Sequence, residues 1–343
     1  MLQIINKTPF TADAIIQFDQ HGENIAATAL KATFTIPENN MPALIAGRQY
    51  PVLHNNQYFD TPENSGIRYS ADLIVGKKGT DIAVNGCVYN KNNKPTERVR
   101  SSVRAGRYYK QIEAVGDRFW KKRLIAPGSG ISRPELFIKM PVTCNRLYGG
   151  SSRATNGETA YFESNPHGTG FIANKKMIGG TRLPNFEDPF NRIETWKDRP
   201  EPAGFGFCNP SAKHRSQYAG TYDDNWQKNQ NPLYPVDLDL KFFNAAQPEL
   251  ITDDFMTGGE TIRLKNLSDS GIIEFQLPVY QFDFNFMFAD RRINQMANLY
   301  TVVIEPEEKI FNMVWGCSVK IGNQPSGLKL LQIQNSAEGM NAK

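Results

Sequence analysis

The chain has 343 residues, 40% hydrophobic and 22% charged, with 39 Lys+Arg against 35 Asp+Glu and a formal net charge of +4. That composition excludes collagen, coiled coil and wholesale disorder, and the positive excess is too small for a dedicated nucleic-acid binder. No apolar run approaches the roughly 18–20 residues of a membrane span, and residues 1–18 lack the basic-then-apolar order of a secretory signal, so the expectation is a cytoplasmic protein with no membrane partner.

The length suggests roughly two domains. Residues 1–126 read as a β-sandwich-like unit. Ala14–Phe18 opens a strand, and Asn24–Ile36 is β-branched until Pro37 stops it. Ala71–Val75 and Asp81–Val88 flank Gly76-Lys77-Lys78-Gly79, which predicts a hairpin. Arg98–Ala105 and Arg107–Val115 flank Gly106 and predict a two-strand meander. Gly116-Asp117 turns the chain, and Phe119-Trp120 restarts a strand. From 127 to 235 apolar periodicity is lost, and Gly, Pro, Asn and aromatics dominate. A disordered segment would be poor in aromatics, so this middle is expected to be ordered, irregular and pinned by ring burial. Residues 236–334 resume strands at Leu238–Phe243, Thr261–Leu264, Ile272–Leu277 and Gln281–Phe288. Asp290–Leu299 carries Ile293, Met296, Ala297 and Tyr300 at helical spacing and predicts a helix. Tyr300–Glu305 and Lys309–Lys320 predict a hairpin across Pro306-Glu307-Glu308, and the polar tail 335–343 is expected to fray. The fold class is mainly β: two β-sandwich-like units joined by a long ordered middle, with few short helices.

Catalytic signatures are missing. There is no H-E-x-x-H, G-x-S-x-G, Walker A or dinucleotide fingerprint. GKKGT at 76–80 lacks phosphate-loop spacing and stands between two expected strands. Cys87, Cys144, Cys208 and Cys317 form no C-x-x-C pair, so a zinc site is not expected and the thiols read as reduced, apolar residues. His167 and His214 lie in loop-like sequence without a specific nucleophile. Asp223 and Asp224 beside Trp226 suggest glycoside chemistry, but adjacent carboxylates point apart. An Asx turn or a pair with Arg215 is the simpler account. Positive charge concentrates from Arg98 to Arg123, opposed only by Glu113 and Asp117. It suits either a basic face for an acidic partner or ordinary solvent-facing strand residues. Arg118 in GDRFW is either an interface anchor or an arginine used inside the fold. No catalytic, metal or cofactor residue is assigned.

The ordered set ADLIVGKKGTDIAVNG, VGDRFW, LYGG, NPHGTG, LPNFEDP, PAGFGF, AGTYDDNW, TGGETIRLKNL and LPVY, from 71 to 280, resembles a bacterial domain-of-unknown-function family. That family is found in type VI secretion gene clusters beside VgrG spikes, PAAR-like tip proteins and toxic effectors. The chain departs from it at Lys77-Lys78, where Lys-Pro is commoner, and at Trp315-Gly316, where a Trp–Arg pair is commoner. The resemblance implies a non-catalytic adaptor or chaperone. It would bind a toxic effector or PAAR-like protein and reach VgrG through that client. Arg104, Arg107, Lys110, Arg118, Trp120, Tyr148 and Trp226 are the candidate partner-binding residues. A carbohydrate-active or carbohydrate-binding β-sandwich and a structural part of the secreted spike are the alternatives.

Overall fold

The computed structural model describes residues 2–38, 41–122, 129–322 and 327–336. Arg123 of the basic run, and the expected frayed tail from 337 onward, lie outside them. Fourteen described strands form the three larger sheets. They are β1 (Gln3–Asn6), β2 (Thr11–Phe18), β3 (Asn24–Thr35), β4 (Asp81–Val84), β5 (Arg98–Ala105), β6 (Tyr108–Val115) and β7 (Phe186–Glu187), followed by β8 (Thr261–Lys265), β9 (Ile272–Gln276), β10 (Phe282–Phe288), β11 (Arg292–Met296), β12 (Asn298–Glu305), β13 (Ile310–Lys320) and β14 (Leu328–Asn335). The described helices are short: α1 (Lys213–Ser216) and α2 (Asp224–Asn229) are the two α-helical segments. The mainly β character expected from the sequence is what the chain adopts.

Sheet one runs β2-β3-β13-β12-β4, sheet two β7-β6-β5-β8-β9 and sheet three β1-β14-β10-β11. Both five-stranded sheets combine strands from the 1–126 and 236–334 stretches. The longest pairing is β3 with β13, from Ile25 opposite Lys320 to Thr35 opposite Ile310. Strand β3 is buried along nearly its whole length, which explains its run of small and apolar residues instead of a clean alternation. The sheets meet in one core. Phe275 of sheet two lies 4.8 Å from Phe311 of sheet one, and Trp315 of sheet one lies 4.9 Å from Phe282 of sheet three. Each fully buried phenylalanine there contributes about 1.5–3 kcal/mol through removal of apolar area from water.

The meander at 98–115 and the hairpin at 300–320 form as expected, and Gly106 makes the first turn at φ +55°. Three expectations are corrected. Residues 71–75 form no strand: Asp72 turns inward to accept from Lys31 and Leu53 N, and Lys77 turns inward onto Asp81. β4 pairs in parallel with β12 instead, while Cys87–Tyr89 pairs with Lys139–Pro141. Leu240–Phe243 is a 3₁₀ turn whose second amide, Lys241 N, donates to the Asp239 carboxylate. Asp290–Leu299 is not helical. β11 pairs antiparallel with β10, and Ala297 N donates to the Phe282 carbonyl, so sheet pairing overrides the helical spacing.

The middle is ordered by its rings, as expected. Trp120, Tyr148, Ile172, Ile178, Leu183 and Ile193 form a second buried cluster, with Phe162 packed edge-on to Tyr148 at 4.9 Å.

Candidate functional site

The residues singled out by the sequence divide into two groups. Arg118, Trp120 and Tyr148 are each 3% exposed or less and do not reach the surface. Arg118 pairs with Glu187 at 2.7 Å, so GDRFW meets LPNFEDP inside the protein. Trp120 and Tyr148 belong to the second core cluster, and the Tyr148 hydroxyl donates to the Asp198 carbonyl. These three hold the fold and are corrected as partner contacts. Lys110 is also buried, on the inner face of β6, with its ammonium on Glu249 at 2.6 Å. Arg104 and Arg107 remain exposed. Arg104 lies over the Tyr109 ring at 4.9 Å, and Arg107 pairs with Asp253 at 2.8 Å. Trp226 is half-buried on α2, edge-on to Tyr222, and its indole N–H donates to the Leu233 carbonyl.

Other motif charges face inward too. Lys31 pairs with Asp72, and Lys77 with Asp81, all with side chains at or below 6% exposure. Asp81 also accepts from Ala245 N and Asn244 Nδ2, while Lys77 reaches Thr301 Oγ1. The GKKGTD string is thus a buried polar junction between sheet one and the 244–252 segment. Asp117 accepts from Arg182 and Asn185. Burial pushes its carboxyl up, but those hydrogen bonds prevail and hold it below the ordinary range.

The chemistry expected of a thiol–imidazole pair is not set up. Cys208 and His214 line one cavity of about 210 Å³. Burial pushes the Cys208 thiol up to about 12, and Gln247 Nε2 lies 3.0 Å from its sulfur. Burial also lowers His214, whose Nε2 is 3.1 Å from the Ala246 carbonyl and so carries the donated hydrogen. Asp223 caps α2, accepting from Trp226 N, which realises the Asx-type account; its expected alternative partner, Arg215, instead donates to the carbonyls of Cys208 and Phe242. Among the described residues no group of three His, Cys, Asp or Glu is placed to hold a metal.

Two surface features stand out on sheet two. The first is its outer face. Arg98, Arg100 and Arg104 project from β5, Arg263 and Lys265 from β8, Tyr109 and Glu113 from β6, and Glu274 from β9. Buried Glu113 accepts Arg98, Arg100 and Arg192 together, at 2.8, 3.3 and 3.0 Å. Arg104 stands directly opposite Arg263. The second feature is the outer edge of β9. No described strand pairs with it. Leu277 uses both its backbone groups toward the β8 side, so by alternation Ile272, Glu274 and Gln276 turn theirs outward. Hollows of about 510 and 490 Å³ adjoin this edge, walled by Met41, Pro278, Thr261 and Gln276 in one and by Ile36, Pro306, Glu38 and Lys309 in the other. Ile272 is 50% exposed beside them.

The sequence pointed to Arg104 but missed Arg263, Lys265 and Arg192. They lie far away in the chain, and only the β5–β8 register brings the first two alongside. The edge of β9 was visible as a strand but not as an edge, because edge position depends on sheet order. No curated protein and no solved structure matches the chain. One family model does, over residues 21–316, a span that takes in the buried charge pairs of the motifs as well as sheet two. The chain belongs to that family, described as "Uncharacterized protein conserved in bacteria (DUF2169)".

Proposed function

We propose that the chain is a non-catalytic type VI secretion adaptor, or effector chaperone. It binds a cognate effector or PAAR-like protein, keeps that client soluble and assists its mounting on the VgrG spike. The secretion context comes from the motif resemblance. The observation that carries a binding role is the open edge of β9 with a hollow on either side. An extended client segment added along Ile272–Gln276 gains backbone hydrogen bonds from the outward groups of Ile272, Glu274 and Gln276, and its alternate side chains enter the hollows, whose walls mix apolar and polar residues. The client's apolar segment is then removed from water, which suppresses its aggregation. A stronger contact between the client and the spike would release it by competition.

The test is a pull-down of the tagged chain from cells expressing the neighbouring genes, repeated with Gln276→Pro, which removes one outward N–H from the edge. Capture of an effector or PAAR-like protein by the parent, with client solubility lost when this chain is omitted and capture weakened in the variant, is the expected result. Soluble neighbours with none captured would refute the adaptor role.

A further inference from the structure

We infer that the outer face of sheet two binds an acidic polypeptide segment. The inference rests on the adaptor role only for the source of that segment, namely a stretch of the client rich in Asp and Glu.

The face is deficient in counter-charge. Six cations, Arg98, Arg100, Arg104, Arg192, Arg263 and Lys265, stand over two carboxylates, Glu113 and Glu274, because the third, Glu187 opposite Glu113, is taken by buried Arg118. Their excess of four is as large as the formal net charge of the whole chain. The placement is also unfavourable by itself. Arg104 and Arg263 are directly opposed across adjacent antiparallel strands, where like charges destabilise a sheet. Arg263 has Glu274 at 3.3 Å, but Arg104 has only the Tyr109 ring, and Lys265 has no carboxylate within 4.0 Å among the described residues. At the far end one buried carboxylate serves three guanidinium groups. A sheet surface that tolerates such repulsion in the free protein gains when a polyanion arrives.

The geometry favours a polypeptide over a nucleic acid. Outward residues along a strand repeat at roughly 6.8 Å, the spacing of alternate side chains in an extended peptide. A segment with acids at every second position therefore meets Arg98, Arg100 and, past Ser102, Arg104, and can reach across to Arg263 and to Lys265 opposite Ser102. Single-stranded nucleic acid on a sheet needs free aromatic rings for base stacking, and Tyr109, the aromatic side chain projecting from this face, already carries Arg104 on its ring.

The experiment titrates the full chain with a fluorescent peptide of about twelve residues carrying Glu at alternate positions, and with a single-stranded oligonucleotide of similar length, at roughly 50 and 200 mM salt. The peptide is expected to bind, to weaken with salt, and to lose at least about tenfold in affinity with Arg104→Glu and more with Arg104→Glu/Lys265→Glu. Arg104→Glu sets an opposite charge across from Arg263, so its melting temperature should hold or rise. Loss of binding without loss of stability separates recognition from misfolding. Equal peptide affinity in parent and variants, no peptide binding, or tighter oligonucleotide binding overturns the inference. The peptide assay needs no client, so a failed pull-down does not decide it. A client captured equally well by parent and Arg104→Glu leaves the adaptor role standing and removes the acidic contact.

Discussion

Substituting Lys77→Met tests whether the GKKGTD string is a structural junction. Asp81 is fully buried, and its carboxylate is held by the Lys77 ammonium at 2.8 Å, Ala245 N at 2.8 Å and Asn244 Nδ2 at 3.0 Å. Methionine fills much of the lysine's volume but removes the counter-charge. Leaving one member of a buried ion pair unpaired costs about 3–5 kcal/mol. Unfolding entropy near 60 °C is about 2.1 cal/mol/K per residue, so for this chain length each kcal/mol moves the midpoint by roughly 1.4 °C. The expected fall is therefore about 4–7 °C, read by scanning calorimetry or intrinsic fluorescence. Adding Asp81→Asn removes the stranded charge while keeping an acceptor for Ala245 N. The double variant should be more stable than the sum of the two single losses implies, a coupling a thermodynamic cycle isolates. A single variant melting within about 1 °C of the parent, or strictly additive losses, would refute the reasoning.

Gly79→Ala should yield no soluble folded protein in an expression and solubility assay, because Gly79 sits at φ +78° and a Cβ there would lie 1.8 Å from the Thr252 carbonyl oxygen. Cys87, Cys208 and Cys317 are each pushed by burial to about 12, so at pH 8 a thiol reagent should label them slowly in the native chain and fast in denaturant; rapid native labelling at any of the three contradicts their placement. His214 is lowered by burial, so as pH falls through about 6.5 the unfolded chain takes a proton that the folded chain resists, and stability declines. His214→Gln should flatten that decline between about pH 7 and 5.5 in denaturant titrations, and unchanged slopes would show that another group is responsible.

What the sequence made legible was local. The 98–115 meander follows from alternation around one glycine, and the 300–320 hairpin from a polar break between β-branched runs. The rings of 127–235 signalled order without revealing their partners. The helix expected over Asp290–Leu299 failed because its stripe is divided between two strands: Ile293 and the 53% exposed Met296 lie on edge strand β11, while buried Ala297 and Tyr300 lie at the junction with β12 and within it. The candidate site was half visible. Arg104 belonged to an evident basic run, but its opposition to Arg263 depends on a pairing between strands some 160 residues apart. Arg118 and Trp120 looked like an interface anchor because the same residue types that dominate contacts also build buried networks. Only burial tells the two apart.

The union of β3 with β13 has a consequence for synthesis. β3 emerges from the ribosome early, yet the strand that covers it along eleven residues arrives only with Ile310–Lys320. At roughly 5–20 residues per second, β3 spends on the order of fifteen seconds to a minute without its neighbour, a long apolar strand with an unsatisfied side. A chain halted before residue 310 would lack the strand that covers β3. Pairing of β3 waits on synthesis of Ile310–Lys320, so the yield of folded protein should fall sharply in any chain cut before that strand.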